Sequence, residues 1–463
     1  MMDRRGFIRS GALGTLALSS LGRGAMSTVN QAKRPNILVI LTDDQTFRAI
    51  GYNHSQVLTP NLDRLASGGI IFNNAYIATP ICAASRASLL TGVYPQQNGS
   101  VGLNAEGFHR SVVEEGRFRT PAHLLAAEGY RTGFAGKSHL GDPKTYGFQE
   151  GGELNERSDT PSMEAAAAFF RDRIEDRAPF FFWLATRQPH IPLTPEEEWT
   201  ALYRDREITL DPNFRESPPE GSLYNQGLPG ESYYRDSEGR GNFGEVSAGP
   251  PRSREEMQTF IRGYYATLTR LDHQIGELVK VLEEGGILED TAILFLSDNG
   301  YHLGNHGLGN KITMHEESVR VPMFLRWGGL PAKGIRTDEL VSSLDLFPTI
   351  LDIAEATPPQ WLEGRSLLPL CENPDRPLRE YAVSECVGVG GELGMGHRMV
   401  RSKRWKYILT DINEEALFDE ENDPHEMNNL VKAESHRETL EQMRGWMHEW
   451  MDRTGDTHAR PSK

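Results

Sequence analysis

Two apolar runs, far apart in the chain, each stop abruptly at oxygen-bearing side chains. The first, "NILVILTDD", is apolar from Ile37 to Leu41 and ends in Asp43 and Asp44. The second, "TAILFLSDNG", is apolar from Ala292 to Leu296 and ends in Asp298 and Asn299. A short unbroken apolar run has no polar face to show to water. It therefore reads as a strand buried on both faces of a parallel sheet. Open sheets of this kind gather their functional groups beyond the carboxyl ends of the strands. The four residues are thus expected to converge on one point despite their separation in sequence. Three carboxylates and a carboxamide form a hard, all-oxygen set, which prefers Ca2+ or Mg2+ to zinc.

Strand and helix patterns alternate between and after these runs. "LTPNLDRLASGG" reads as a short helix closed by Gly68-Gly69, and "IIFNNAYI" as a strand. A helix is expected to begin at Ala87 to Leu90. "TPAHLLAAEGY" puts Pro121 in a first turn and Gly129 near a helix end, and "RTGFAGKSHLG" reads as strand then loop. Met163 to Ile174 reads as a helix before the buried strand "PFFFWLAT". From Ile261, apolar residues recur at Tyr264, Tyr265, Leu268, Leu271, Ile275, Leu278 and Leu282, the spacing of a long amphipathic helix. This alternation specifies an α/β sandwich. Residues 211–254 are rich in Gly, Pro, Ser and charge, and read as a long excursion over the active-site face with tyrosines for ligand contact. Beyond residue 374, "NPDRPLREYAVSE", "HRMVRSKRWKYILT" and "EALFDEEND" read as short strands, and "HRETLEQMRGWMHEWM" as a last helix. The expected divisions are 1–27 for an export signal, 33–373 for a catalytic domain and 374–455 for a smaller α+β domain.

The N-terminus, "MMDRRGFIRSGALGTLALSSLGRGA", pairs Arg4 with Arg5 ahead of an uncharged stretch from Gly11 to Gly22. That stretch falls short of the ~20 apolar residues a bilayer span requires. It reads as a twin-arginine export signal, which points to the bacterial periplasm and to no stable membrane insertion. Acidic residues exceed basic ones, 65 against 49, for a net charge of −16. Such a surface repels nucleic acid and anionic membranes. An anionic substrate would then need a local cationic pocket. The three cysteines, Cys82, Cys371 and Cys386, are too few for a disulfide scaffold, and the last two read as unpaired structural thiols.

Cationic and imidazole side chains recur in loops placed after strands. Lys137 and His139 lie in "GKSHLG", His190 in "RQPHIP", and His302, His306 and Lys311 in "SDNGYHLGNHGLGNK". With Arg86 they are candidates to hold a tetrahedral oxyanion against a metal ion. Cys82, in "ICAASRASLLTG", stands at the mouth of the helix expected there, where the helix dipole favours an anion and lowers a thiol's pKa. Yet a thiolate is a poor ligand for Ca2+, and a cysteine protease has no use for four oxygen ligands. The site makes chemical sense if Cys82 is converted into an oxygen nucleophile.

"CAASRASLLTG" resembles the signature of the formylglycine-dependent sulfatases, cysteine-x-proline/alanine-x-arginine followed by Leu-Leu-Thr-Gly. "NILVILTDDQ", "LTPNLDRLASGGIIFNNAY", "GYRTGFAGKSHLG", "PFFFWLATRQPHIPLTP", "HEESVRVPMFLRWGG" and "SSLDLFPTILDIA" resemble further stretches of that family in its order. So do the late "KRWKYILTD" and "ALFDEENDPHEMNNL", and the likeness runs from about residue 34 to about 450. The resemblance implies an alkaline-phosphatase-like α/β fold, with a large central mixed sheet flanked by helices and a smaller C-terminal α+β domain carrying a short antiparallel sheet. It implies oxidation of Cys82 to formylglycine by a maturing enzyme. It also implies Ca2+ held by Asp43, Asp44, Asp298, Asn299 and the modified Cys82. Arg86 would steady the hydrated aldehyde. Lys137, His139, His190 and Lys311 would bind sulfate and move protons, His190 and Lys311 assisting the leaving alcohol. His302 and His306 are added as substrate-binding candidates from their loop. Two positions depart from the family pattern: Ala84 where proline is common, and Ser138 where tryptophan is common. The expected activity is hydrolysis of a sulfate ester, on a sulfated carbohydrate or other small ester. The rivals are a phosphonate or phosphate monoester hydrolase on the same scaffold and a non-catalytic carbohydrate-binding scaffold.

Overall fold

The computed structural model describes residues 34–154, 158–176, 178–219, 222–224, 253–387, 396–411 and 413–456. The expected export signal at 1–27, and Tyr233 and Tyr234 of the 211–254 excursion, lie outside them. In chain order the strands begin with β1 (Asn36–Asp43), β2 (Gly69–Tyr76), β3 (Arg131–Gly136), β4 (Glu150–Glu153), β5 (Phe180–Pro189) and β6 (Thr291–Ser297). A small hairpin follows, β7 (His302–Leu303) and β8 (Gly309–Asn310), and then β9 (Met323–Arg326) and β10 (Ile335–Ser342). The central sheet runs β10-β2-β9-β6-β1-β5-β3-β4. It is mixed because β9 is antiparallel to both of its neighbours.

The two apolar runs are adjacent strands. β1 pairs with β6 in parallel, Ile37 opposite Ala292 and Leu41 opposite Leu296, so both strands end at the same level. Every residue of both is buried. Side chains alternate between the sheet's faces. Ile37, Val39, Leu41, Leu294 and Leu296 join one core cluster; Leu38, Ile40, Ile293 and Phe295 join another. The helices that cover these faces are α1 (Pro60–Ser67), α2 (Cys82–Thr91), α3 (Pro121–Ala127), α4 (Thr160–Asp176), α5 (Arg254–Glu284) and α6 (Leu346–Ile353). The first face takes Leu89 of α2, Leu125 of α3 and Ile350 of α6. The second takes Leu65 of α1, Phe170 of α4 and Leu271 and Ile275 of α5. Each such side chain, fully buried, contributes roughly 1.5–3 kcal/mol. Helices therefore flank both faces of a large mixed sheet, as the alternation predicts.

The expected start of α2 at Ala87 is corrected: the helix opens at Cys82 itself, with Ile81 in extended conformation before it. All ten of its residues are buried, so no polar face marks its length. It stops at Gly92, which takes a left-handed conformation (φ 73°) and donates its N–H to the Ser88 carbonyl. The C-terminal region forms a four-stranded antiparallel sheet of β11 (Ala382–Cys386), β12 (His397–Arg401), β13 (Trp405–Thr410) and β14 (Glu415–Asp419). The last helix, α7 (Arg437–Thr454), packs Met443, Met447 and Trp450 against Val400, Tyr407 and Leu417 of that sheet. Cys371 and Cys386 are both buried in the core of the sheet's first face. Of the excursion's tyrosines, Tyr224 is buried and its hydroxyl accepts the Met314 N–H at 2.8 Å. Among the described residues no helix is long and apolar enough to cross a membrane.

Candidate active site

The shared end of β1 and β6 delivers Asp43, Asp44, Asp298 and Asn299 together. The Asn299 amide donates to Asp44 Oδ1 at 2.6 Å, and the Asp44 N–H to Asp298 Oδ1 at 3.4 Å. All four are buried. Asp44 is left-handed (φ 66°), and its carbonyl accepts the hydroxyl of Tyr264, from α5, at 2.5 Å. Cys82 enters from the first turn of α2, with Sγ 3.4 Å from Asp43 Oδ1 and 3.0 Å from Lys311 Nζ. One turn later Arg86 points the same way. Its Nε donates to Asp298 Oδ2 at 2.8 Å, its Nη2 lies 3.5 Å from Asp43 Oδ2, and its Nη1 bonds the Lys137 carbonyl.

The loops after the strands bring the remaining groups. At the end of β3, Gly136 takes φ 112° beside Ala185, whose carbonyl a Cβ would strike at 1.9 Å. That close approach lets Lys137 N–H bond Ala185 O at 2.8 Å and turns the lysine inward, where its ammonium pairs with Asp43. Lys311 pairs with Asp44. Its neighbours Asn310 and Ile312 are both left-handed, at φ 67° and 75°. For the β-branched Ile312 this is a true outlier, a strain of about 1–3 kcal/mol that packing must hold in place. His139 is also left-handed (φ 62°), its N–H bonded to Glu153, and its Nδ1 is buried without a hydrogen bond. His190 follows β5, one-quarter exposed, with Nε2 3.7 Å from Asp44 Oδ2 and Nδ1 2.5 Å from the Ile191 carbonyl.

The structure thus brings together ten of the sequence candidates: Asp43, Asp44, Cys82, Arg86, Lys137, His139, His190, Asp298, Asn299 and Lys311. Hydrogen-bond and ion-pair contacts tie all but His139 into one cluster; His139 is linked through its place beside Lys137 and the field of Lys137, Arg86 and Asp43. His302 and His306 belong elsewhere. His302 is fully buried and bonds Thr313 Oγ1 at 2.7 Å, and His306 stacks on His315. Sequence reading missed Tyr264, which it counted as part of an apolar stripe, and the buried charged group around Glu316, Glu317 and Glu426. The "HEES" at 315–318 was the available signal, acidic residues in a segment that is wholly buried.

Burial favours the neutral form of Asp43, but Lys137 first, then His190, Arg86 and Lys311, hold its carboxyl well below the usual range. Asp298 moves the other way, pushed up by burial and by Asp43. The expected activation of the thiol is corrected. Burial, then the Asp43 charge, push Cys82 up to about 12, against the pull of Lys311 and Lys137. The partial charge of a helix N-terminus is outweighed by a neighbouring carboxylate in a dry site. Burial, with Lys137 and Arg86, lowers His139 to about 3, so its imidazole is neutral at pH 7. His190 is lowered, mainly by burial.

A hard cation suits this donor set. Asp44 Oδ2 and Asn299 Oδ1 are buried oxygens without a hydrogen bond. One ligand atom from each of Asp43, Asp44, Cys82 and His190 lies within 4.8 Å of the others. The oxygens fit Ca2+ or Mg2+, and the surrounding Lys137, Lys311 and Arg86 can neutralise a doubly charged oxyanion.

The family described as Sulfatase matches residues 35–356, and the one described as N-sulphoglucosamine sulphohydrolase, C-terminal, matches residues 304–453. The chain is 28% identical to an arylsulfatase of Clostridium perfringens, over 89% of this chain and 93% of that protein. It is 28% identical to an N-acetylglucosamine-6-O-sulfatase of Bacteroides thetaiotaomicron, over 92% and 88%. A solved structure in complex with its substrate D-glucosamine-2-N,6-O-disulfate superposes with a TM-score of 0.75 at 24% identity, covering 92% of this chain and 99% of that one.

Proposed function

The chain belongs to the sulfatase family and is a sulfuric ester hydrolase, and on that premise we propose that it desulfates a carbohydrate, with residue 82 acting as nucleophile after oxidation of the cysteine to formylglycine. One observation carries this reading: two lysines, Arg86 and the ends of two strands surround a single buried thiol that is itself held protonated. A protonated thiol is a weak nucleophile. A hydrated aldehyde at the same position would offer hydroxyls instead. Ca2+ is the ion we favour for Asp43, Asp44, Asp298, Asn299 and the modified residue 82, with Mg2+ the alternative; bound there, it would supply fixed positive charge beside the sulfuryl oxygens.

The chain's own residues do the rest. Lys137 and Lys311 bind sulfuryl oxygens and offset charge as it grows there. Arg86, anchored on Asp298, orients residue 82. With its Nδ1–H committed to the Ile191 carbonyl, His190 gives a proton from Nε2 to the departing alcohol as the imidazolium, the form that the Asp44 carboxylate 3.7 Å away favours against burial; Lys311 is the second donor. Neutral His139 takes the proton that must leave residue 82 when sulfate is released. Residues 33–373 supply all of these groups. The printed activities of the relatives, and the disulfated glucosamine in the solved complex, support a sulfated saccharide as substrate. An export signal at 1–27 would place the reaction in the periplasm, after a maturing enzyme has oxidised Cys82.

Two measurements test the reading. Mass spectrometry of protein made with a maturing enzyme should find the aldehyde at residue 82; full activity with only thiol there would sink the mechanism. Rates on matched aryl sulfate and aryl phosphate esters should favour sulfate. A preference for phosphate or phosphonate would move the chain to that rival chemistry.

A further inference from the structure

His306, His315 and Glu426 line a cavity of about 250 Å³, together with Asn213, Tyr224 and Phe418, and Glu317 stands beside them. His306 comes from the turn of the β7–β8 hairpin, and His315 and Glu317 follow Lys311 on the same stretch of chain. Glu426 arrives from the segment after β14. The two imidazoles stack with centroids 3.8 Å apart and planes 12° from parallel. His315 Nδ1 lies 2.9 Å from Glu426 Oε2. His306 Nε2 lies 3.6 Å from Glu317 Oε2 and 4.0 Å from Glu426 Oε2. One ligand atom each of His306, His315 and Glu426 lies within 4.8 Å of the others. Glu317 Oε2 is buried and makes no hydrogen bond.

We propose that His306, His315, Glu317 and Glu426 form a second cation site, suited to Zn2+ and sharing no residue with the oxygen set at Asp43 to Asn299. A tetrahedral ion with bonds of ~2.0–2.1 Å sets neighbouring ligand atoms roughly 3.3 Å apart. Among His306, His315 and Glu426 the observed separations of 2.9 and 4.0 Å bracket that value; Glu317, 3.6 Å from His306 Nε2 but outside the group whose ligand atoms all lie within 4.8 Å of one another, would swing in as the fourth ligand. Two imidazoles and two carboxylates are a nitrogen and oxygen set, which favours Zn2+ over the all-oxygen preference of Ca2+. The ligands are held from behind. Asn213 Nδ2 donates to Glu317 Oε1 at 2.9 Å, and Lys406 Nζ stands 2.8 Å from Glu426 Oε1. Binding would replace the 3.0 Å contact between Asn213 Nδ2 and His306 Nε2, and would release the proton shared by His315 and Glu426. Three ligands sit on the stretch of chain that presents Lys311, and the fourth follows the small sheet. The ion would tie one to the other.

The test uses the full chain in saturating Ca2+, titrated with Zn2+, and with Co2+ as a spectroscopic probe. We expect one Zn2+ per chain beyond the Ca2+, the visible absorption of tetrahedral Co2+, and a melting temperature raised by Zn2+. His315→Phe keeps an aromatic ring against Tyr224 and His306, and His306→Gln keeps a polar side chain beside Asn213. Each should weaken Zn2+ binding by at least the ~10- to 100-fold that loss of a mere outer partner costs, with the zinc-free melting curve as the check on folding. If His315→Phe does not fold, His306→Gln carries the test alone. No Zn2+ beyond the Ca2+ would overturn the proposal. So would Zn2+ that stays bound in every folded variant, or that Ca2+ displaces, because it would then sit in the Asp43, Asp44, Cys82 and His190 cluster.

Discussion

His190 is fixed from one side of its ring and free to act from the other. Its Nδ1 meets the Ile191 carbonyl, and its Nε2 looks toward Asp44. If it protonates the leaving alcohol, its value depends on how badly that alcohol needs a proton. His190→Ala should therefore cost ~10²- to 10⁴-fold in kcat/KM on a sugar sulfate, and much less on a nitrophenyl sulfate, whose oxygen leaves as a stable anion. Equal losses on both substrates would restrict His190 to binding sulfate. Asp298→Ala tests the other side of the cluster. It removes a hard oxygen donor and strips Arg86, buried with it, of its 2.8 Å partner. Leaving a buried charge wholly uncompensated costs about 3–5 kcal/mol, and Asp43, 3.5 Å from Arg86 Nη2, keeps the loss below that. Activity, Ca2+ content and melting temperature should all fall, and a variant with normal Ca2+ and normal turnover would refute the assignment. The acidic set is legible from sequence because it caps apolar runs whose strand register is forced by burial. His302 and His306 group with it in sequence because proximity to Lys311 does not say which side of a hairpin a ring faces. Tyr264 is hidden for another reason: an aromatic side chain in an apolar period reveals its ring and not its hydroxyl.

Tyr264 also shows what an element contributes. The helix α5 buries one stripe against the sheet, and from that stripe it extends a hydroxyl to the Asp44 carbonyl at 2.5 Å and receives the Thr46 N–H at 3.3 Å. It thereby pins a residue whose left-handed backbone is otherwise unfavourable. Tyr264→Phe keeps the ring and leaves those groups unpaired, at about 1–3 kcal/mol for a buried polar group. A loss of about 1.4 kcal/mol in the assembled site corresponds to roughly tenfold in kcat/KM. We expect a lower melting temperature and a fall in kcat/KM of about that size, with Cys82 oxidation unchanged by mass spectrometry. Wild-type kinetics in a folded Tyr264→Phe variant would reduce the residue to packing. The long helix is readable because its period alternates apolar with charged residues over many turns. The start of α2, on the sheet's other face, is not, because burial on all sides leaves Ala, Ser and Cys with no period to read.

At the scale of the molecule, the central sheet and the small sheet meet at β11. Glu385 of that strand donates its N–H to the Ala78 carbonyl, just past β2, at 2.9 Å, and its Oε1 accepts the Gln96 N–H at 3.2 Å. The carboxyl is fully buried, and burial pushes its pKa up to about 8, with Asp456 pushing the same way and Arg398 opposing it. The short strands of this region can be read from sequence. The junction cannot, because nothing local marks which carboxylate will face the other sheet. The pH dependence follows from the raised pKa. A carboxyl with a raised folded-state pKa binds more protons folded than unfolded between about pH 4.5 and 8. Its contribution to stability is complete below that window and is lost as pH rises through it. Glu385→Gln keeps the acceptor for Gln96 and removes the titration. Each tenfold change in proton affinity is worth about 1.4 kcal/mol, and the new amide must find a partner for its own donors, so a net gain of roughly 1–3 kcal/mol above pH 8 is expected. The cost of the amide does not depend on pH, so the variant should be the less stable near pH 4.5, and its melting temperature should rise relative to the wild type with pH until it is the more stable at about pH 8 to 9. A difference that stays constant with pH, or that moves against the variant as pH rises, would show that Glu385 is ionised at the junction, paired with Arg398 opposite it on β12.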